Sequence, residues 1–459
     1  MTEGPNAVMQ RECKPRDTGG LTRRRLGAGA ALLAVLPLQA ACGGGMADRD
    51  SAGQAEAARG RIVHWSNSQF PFWADIGADF AKEFREKYPN VDYVAEEVVG
   101  DRFEKLAVAA AADSAPDIGM STPYHVQELG FKGIAAAHDD YLKKSKIVKQ
   151  SDLWPTLTAD VVYKGKQYAM PFAPDVRVMY LNTNVLQTSG IDPQKPAQSW
   201  DELEEHIRRI YQPDAGQGAR LGFPALWGSG GNALWLMPFW QLGGETTDKD
   251  GEKITIDGEP GIKALEWLKK IYDVQGGWDA IGARFKQEAT ANAHFVSGGI
   301  GYYFATFTER KSKEFLGSSA LKFTFTPWPS PRGGRHTNFG GNHCFLLTTQ
   351  SKNPEAAWKF MEFLAQEDIV LRFAKRYDRI PVRIDVAKGQ AYQEHDPFLK
   401  LAVEEMAVRR FQIAAPGGGE IQALQNQLAA DAVSGKRPVR EVLTDYARQM
   451  QQILDKFKR

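Results

Sequence analysis

RIVHWSNSQFPFWADIGADFAKEFREKYPNVDYVAEEVV, residues 61–99, reads as strand, helix, strand. Arg61-Ile62-Val63-His64-Trp65 is a short apolar strand candidate. Ile76, Phe80, Phe84 and Tyr88 then recur every fourth residue, one apolar stripe of a helix closed by Pro89, and Val91 to Val99 supplies the next strand. The alternation continues with a helix through Phe103, Leu106 and an alanine run, and a third strand begun by Pro116-Asp117-Ile118-Gly119-Met120. Ser199-Trp200-Asp201-Glu202 is a capping box ahead of Leu203, Ile207 and Ile210, with the serine accepting from the amide three residues on and the glutamate reaching back. Asn353-Pro354 gives an N-cap and a first-turn proline before Ala357, Trp358, Met361 and Leu364. This pattern predicts an α/β fold with helices on both faces of mostly parallel sheets. The C-terminal end reads as helical, with Val439, Val442, Leu443, Tyr446, Met450, Ile453 and Phe457 on one long stripe.

The N-terminal end is an address. Arg23-Arg24-Arg25-Leu26-Gly27, an apolar run from Ala28 to Ala41 and small residues before Cys42 make a signal peptide over 1–41, too short in its apolar part to span a bilayer. Thr22-Arg23-Arg24-Arg25-Leu26 resembles the twin-arginine export signal, and Ala40-Ala41-Cys42 resembles a lipobox, although Gln39 stands where leucine is usual. An ordinary secretory signal with an incidental cysteine competes with this reading; the place of Cys42 at the end of the apolar run favours lipidation. Residues 42–60 are Gly, Ala, Ser and charge without periodicity, a flexible tether.

With 57 basic and 56 acidic residues, the chain offers no electrostatic reason to bind nucleic acid or an anionic membrane surface. Of 3 cysteines, Cys13 leaves with the signal and Cys42 is the candidate anchor, so Cys344 stands alone and a disulfide framework is excluded. About 400 mature residues exceed what one core serves, which predicts two lobes.

The residues show no signature of catalysis. There is no Walker loop, no nucleophile elbow, no dinucleotide fingerprint after a strand and no helical His pair flanking a Glu. The acid pairs Glu96-Glu97, Asp139-Asp140 and Glu404-Glu405 are adjacent in sequence, so their side chains diverge and read as solvated surface. No enzyme activity, cofactor or metal is expected.

Aromatic residues set among polar ones stand out instead: Trp65-Ser66-Asn67-Ser68-Gln69-Phe70-Pro71-Phe72-Trp73 after a strand, Trp227-Gly228-Ser229-Gly230-Gly231-Asn232-Ala233-Leu234-Trp235 in a glycine-rich loop, and Tyr302 to Phe307. A pyranose ring has C–H faces that stack on aromatic rings and a rim of hydroxyls that amides, carboxylates and guanidinium groups satisfy. Trp200, Trp267 and Trp358 lie on helical stripes and read as core; Trp65, Trp227 and Trp235 are ligand candidates.

In order, the landmarks Tyr88-Pro89-Asn90-Val91, Pro116-Asp117-Ile118, Gly165-Lys166-Gln167-Tyr168-Ala169-Met170-Pro171 with Met179-Tyr180-Leu181-Asn182, Ser199-Trp200-Asp201-Glu202-Leu203, Gln241-Leu242-Gly243-Gly244, Phe295-Val296-Ser297-Gly298-Gly299, Asn353-Pro354-Glu355-Ala356-Ala357-Trp358 and Val433-Ser434-Gly435-Lys436 cover nearly the whole mature chain. The sequence resembles the family 1 extracellular solute-binding proteins of ABC importers, in particular their maltose-type sugar-binding members. The resemblance implies a periplasmic-binding-protein-like fold of two α/β lobes joined by hinge strands, with ligand in the cleft between them. It places the first lobe at 61–173 plus 338–375 and the second at 174–337 plus 376–459.

Ligand residues in this family sit on loops at strand ends. Carried over by position, they are Trp65, Ser66, Asn67 and Gln69 after the first strand, and Ser121, Thr122 and Tyr124 after the third. Asp175 and Arg177 follow on the first crossing, Trp227, Asn232, Trp235 and Phe307 in the second lobe, Gly341 and Asn342 on the later crossing, and Glu420 after Pro416-Gly417-Gly418-Gly419. Asp175 and Arg177 could instead pair at the hinge, and Glu420 could be a solvated first-turn acid. Gly301-Tyr302-Tyr303 departs from the family's usual Ala-Met pair, which puts a maltose specificity in doubt.

The expected protein is a monomeric, lipid-anchored extracytoplasmic receptor whose partners are a small-molecule carbohydrate and the permease subunits of an ABC transporter. The competing readings are a secreted carbohydrate hydrolase and a same-fold receptor for glycerol phosphate, a uronate or a polyamine.

Overall fold

The computed structural model describes residues 58–66, 71–213, 219–228, 230–287, 291–396 and 398–458. The predicted signal, Cys42 and the tether up to residue 57 lie outside them. Ala58 is already buried at 3% exposure, so the packed chain begins just inside the predicted tether.

Strand β1 (Gly60–Ser66) leads into a continuous helical run, Pro71–Asp75, Ile76–Phe80 and Ala81–Lys87, whose middle piece is a π turn. An apolar stripe repeating every four residues outruns a 3.6-residue helix by about 40° per step, and a wider turn takes up the lead. The turn keeps Ile76, Phe80 and Phe84 all buried. Strand β2 (Val91–Glu97) lies parallel to β1 from Gly60↔Val91 to Ser66↔Glu97. Helix α1 (Arg102–Ala111) starts on Asp101, whose carboxylate accepts from the amides of Phe103 and Glu104 at 2.8 and 3.1 Å. Strand β3 (Ile118–Ser121), helix α2 (Pro123–Phe131), helix α3 (Pro155–Val161) and strand β4 (Met170–Pro171) complete this part of the chain.

The second part holds strand β5 (Arg177–Asn182), helix α4 (Trp200–Ile210), helix α5 (Glu259–Asp273), strand β6 (Tyr302–Thr306) and strand β7 (Phe323–Thr326). The chain then returns through β8 (Asn338–Phe339) and β9 (Cys344–Leu347) to helices α6 (Pro354–Leu364) and α7 (Glu367–Tyr377). It ends with α8 (Leu399–Ala407), β10 (Arg409–Arg410), α9 (Gly418–Val433) and α10 (Val439–Asp455).

Two sheets organise two lobes. One has the order β2-β1-β3-β9-β4 and the other β6-β5-β7, while β8 and β10 form a separate parallel pair. The expectation of mostly parallel sheets is corrected. Only the β1–β2 and β1–β3 pairings of the first sheet are parallel, β9 runs antiparallel to β3 and β4, and the second sheet is wholly antiparallel. The reason is connectivity: β9 enters the first sheet on the return journey, so it points against the strands laid down on the way out.

The helical tryptophans are core, as their spacing predicts. Trp200 and Trp267 stack with centroids 4.1 Å apart, the Trp200 Nε1 donates to Gln241 Oε1 at 3.0 Å, and Trp358 is 2% exposed. The two predicted caps are realised in part. Ser199 Oγ accepts from the Glu202 amide at 3.2 Å, but the glutamate reaches one residue further back, to the Gln198 amide at 2.7 Å. Asn353 caps nothing with its side chain; its Nδ2 donates to the Arg61 carbonyl at 2.8 Å and ties α6 to β1. The expected boundary at residue 375 falls inside α7. Beyond it the chain stays against α3 and its approach, with Trp154 Nε1 donating to the Pro381 carbonyl at 3.0 Å and Arg383 Nη1 to the Ile147 carbonyl at 2.8 Å.

Candidate functional site

Three lengths of backbone run side by side between the two sheets: the approach to β5, the stretch from β8 to β9, and β10. The Asp175 amide donates to the Gly341 carbonyl at 3.1 Å, the Asn338 amide to Val408 at 3.1 Å and the Gly340 amide to Arg410 at 3.1 Å. Gly340 is required there, since a Cβ would sit 2.3 Å from the Asp175 carbonyl and 2.7 Å from Arg409 Cγ.

Asp175 and Arg177, two residues apart at the start of a strand, lie on one face and meet: Arg177 Nη1 donates to Asp175 Oδ1 at 2.9 Å. The same oxygen accepts from the Gly341 amide at 2.9 Å, so three predicted ligand residues converge. Arg177 also donates to the Phe339 carbonyl at 3.2 Å and lies 4.5 Å above the Phe339 ring. Burial alone would raise the Asp175 carboxyl, but Arg177, the Gly341 amide, Arg379 and Arg409 together hold it below its ordinary value. Burial lowers Arg177 against the pull of Asp175. The pair thus makes the hinge contact, one of the two readings open for it.

A groove of about 150 Å³ runs beside the carboxyl ends of β2 and β3, lined by Arg102, Phe103, Ser121, Thr122, Tyr124 and His125 among others. Ser121 and Tyr124 arrive there because β3 ends at Ser121 and α2 begins one residue before Tyr124. His125 stacks on Phe103 with centroids 3.9 Å apart; burial pulls it down to about 4, so it is neutral at pH 7. Tyr124 lies parallel, within 5°, to Phe411, with centroids 5.8 Å apart. Phe411 follows β10 directly, so this ring pair joins the first sheet's strand ends to the third crossing. A larger groove, about 620 Å³ and lined by Gln127, Tyr163, Glu252, Pro416 and Phe457 among others, contains none of the predicted ligand residues.

The other predicted residues are scattered more widely. Trp65 is half-buried at the end of β1, packing with Phe103 around Leu106 and Val126, and Ser66 is 8% exposed. Asn67 and Gln69 lie outside the described residues. Trp227 is half-buried and stacked on Phe285 at 4.4 Å, and Asn232 Nδ2 donates to the Asn426 carbonyl at 2.9 Å. Asn342 is 3% exposed, its Nδ2 on the Cys344 sulfur at 3.2 Å.

Two positions are corrected, and Glu420 stays open to solvent. Trp235 is 0% exposed against Phe239, because the glycine-rich segment tightens into a 3₁₀ turn at Gly231–Trp235 that drives the ring inward. Phe307 is 1% exposed beneath the Arg310 guanidinium, 4.3 Å from its ring. Glu420 is exposed and paired with Lys456 at 3.1 Å, a solvated acid in the first turn of α9. The departure at Tyr302-Tyr303 is strand packing: Tyr302 Oη meets His206 Nδ1 at 2.6 Å and the Tyr303 ring packs on Phe295 at 5.5 Å.

Sequence reasoning missed Arg102, Arg379, Arg409 and Phe411. Phe411 carried a usable signal, an aromatic among polar residues in Arg409-Arg410-Phe411-Gln412 ahead of a glycine run.

A titrating contact braces the crossing. His336 Nε2 meets Glu405 Oε1 at 2.8 Å, and the other Glu405 oxygen accepts from Asn338 Nδ2 at 2.6 Å. The hydrogen bond to Glu405 raises His336 above 6.5 while partial burial opposes it. A raised folded-state value gives stability that is complete below the unfolded value and lost as pH rises through the folded one. With the His336 side chain 46% exposed, the expected loss is roughly 1 kcal/mol or less. Urea unfolding at pH 5.5 and 8.5 is expected to show it, and His336→Gln to abolish the difference.

Comparison with known proteins gives the family. The description "bacterial extracellular solute-binding protein" matches residues 79–398. A binding protein of Brucella abortus is 25% identical over 416 residues, covering 88% of this chain and 95% of the relative. A maltooligosaccharide ABC transporter solute-binding lipoprotein of Streptococcus pneumoniae is 22% identical over 437 residues, covering 91% and 94%. Among solved structures, the sugar-binding protein MalE of Xanthomonas citri superposes with a TM-score of 0.73 at 18% identity, covering 86% of this chain and 98% of its own. A match across 79–398 takes in the second sheet, every strand of the first except β1, and the crossings that carry Asp175 and Gly341, and the chain belongs to the bacterial extracellular solute-binding proteins.

Proposed function

We propose that this chain is the sugar receptor of an ABC importer, held outside the cytoplasm by a lipid on Cys42 after export through the twin-arginine route. It takes an oligosaccharide between its two lobes and hands it, chemically unchanged, to the permease. The observation that carries this reading is the family match across residues 79–398, which spans the crossings where Asp175, Arg177 and Gly341 converge. The ring pair Tyr124 and Phe411 beside that charged floor offers the apolar face and directional polar groups that a sugar needs. The Streptococcus pneumoniae relative supports both the ligand class and the anchor.

Ligand that touches both lobes binds the closed arrangement better than the open one and shifts the population by that difference. The proposed lobes are 61–173 with the return segment, and 174–337 with the C-terminal helices; the chain acts as a monomer and carries no cofactor. A thermal-shift screen of the purified chain against neutral and acidic oligosaccharides tests the reading. A binder present at about 100 times its dissociation constant adds about 2.7 kcal/mol to stability. A raised midpoint with the sugar recovered intact by chromatography is the expected result. No shift across the library, or cleavage products in the recovered sugar, would overturn it, the latter in favour of a hydrolase.

A further inference from the structure

We infer that the ligand of this receptor carries a carboxylate, and that the unpaired edge of Arg409 receives it; the inference rests on the sugar-receptor reading above.

Arg409 stands on β10, the third crossing, with its side chain 0% exposed. Its Nη1 is engaged twice, by Asp160 Oδ2 at 2.6 Å and by the Thr156 carbonyl at 2.7 Å. Its Nε and Nη2 are closed to solvent, and among the described residues neither has a hydrogen-bond partner. These two nitrogens form the side edge of a guanidinium, two parallel N–H donors whose spacing matches the two oxygens of a carboxylate. A buried donor left unpaired costs about 1–3 kcal/mol, so the edge is an energetic defect that a ligand anion would remove.

The edge lies where the crossings meet. The Arg409 stem lies against Gly340, next to the Asp175 carbonyl, where the crossings meet. Its guanidinium is 5.6 Å from the Phe411 ring, the partner of Tyr124 at the groove. Two unmet acceptors lie on the crossings, Asn342 Oδ1 two residues past Gly340 and Gln412 Oε1 three residues past Arg409, both buried and without partners among the described residues. They suit sugar hydroxyls, which donate.

Geometry sets the class of anion. Asp160 and the Thr156 carbonyl occupy Nη1 of Arg409 and leave the flat, two-donor side edge, which a planar carboxylate matches with both oxygens. The chemistry that fits is a uronic acid unit of an oligosaccharide.

The test is calorimetric titration of the full chain with four probes: a disaccharide ending in glucuronate, its methyl ester, its neutral glucose counterpart and its glucose 6-phosphate counterpart. The uronate is expected to bind at least about tenfold more tightly than the ester and the neutral sugar. Arg409→Lys keeps a cation against Asp160 but has no side edge, and is expected to bring these affinities to within about threefold of one another. Should that variant fail to fold, the ester comparison on the unaltered chain decides. Equal affinities for uronate, ester and neutral sugar would overturn the carboxylate assignment while leaving the sugar receptor standing. Tighter binding of the phosphate, or a preference that survives Arg409→Lys, would also overturn it. Absence of binding by all four would overturn both.

Discussion

Asp175→Ala is expected to lower the free energy of unfolding by about 3–5 kcal/mol, because it removes the carboxylate that pairs with the buried Arg177. Arg177 is 8% exposed, and it also meets the Phe339 carbonyl and the face of the Phe339 ring. The Gly341 amide loses its acceptor as well, while the main-chain bond from the Asp175 amide to the Gly341 carbonyl remains. Urea unfolding at pH 7 measures the loss, and an effect under about 1 kcal/mol would mean that the pair is solvated in solution. Asp175→Asn separates charge from shape. The Asp175 carboxyl titrates below its ordinary 3.8 in the folded chain, so its contribution is present above that value and disappears as pH falls through the folded one. The gap between wild type and Asp175→Asn is therefore expected at pH 7 and to close in acid.

Arg310→Met is expected to cost a similar amount, about 3–5 kcal/mol. Arg310 is 6% exposed, with Nη2 on Asp378 at 2.6 Å and Nη1 on Asp396 at 2.7 Å. Asp378 sits just past α7 in the left-handed region, φ 52°, and burial already raises its carboxyl despite the arginine. Removing the cation leaves two acids facing each other over Phe307. The denaturation midpoint is expected to fall with an unchanged slope against denaturant. Adding Asp378→Asn and Asp396→Asn to Arg310→Met is expected to recover part of the loss, since the buried unpaired charge is what destabilises. If the triple variant is no better than the single one, packing on Phe307 is the dominant contribution of Arg310.

Residues 61–99 made the first sheet legible, because strand and helix periods differ and the chain alternates cleanly between them. Direction was not legible. An apolar run such as Cys344-Phe345-Leu346-Leu347 is the same whether it runs with or against its neighbours, and only the return path of the chain decides. The convergence of Asp175 with Arg177 could be read from their spacing on a strand, and that of Gly341 only through the family resemblance. Trp235 shows how a glycine-rich loop misleads. Glycine freed the backbone to tighten, so a ring expected at the cleft turns inward against Phe239 instead. Arg409 was hidden for another reason: a two-residue strand has no period, and its partner Asp160 is 249 residues away.

The most direct test of lobe-bridging capture is small-angle X-ray scattering on the full chain, alone and saturated with the tightest sugar found by the screen. A ligand that holds both lobes predicts a smaller radius of gyration on binding, with Arg177→Met weakening both the affinity and the compaction. Saturable binding with an unchanged radius of gyration would contradict capture between the lobes.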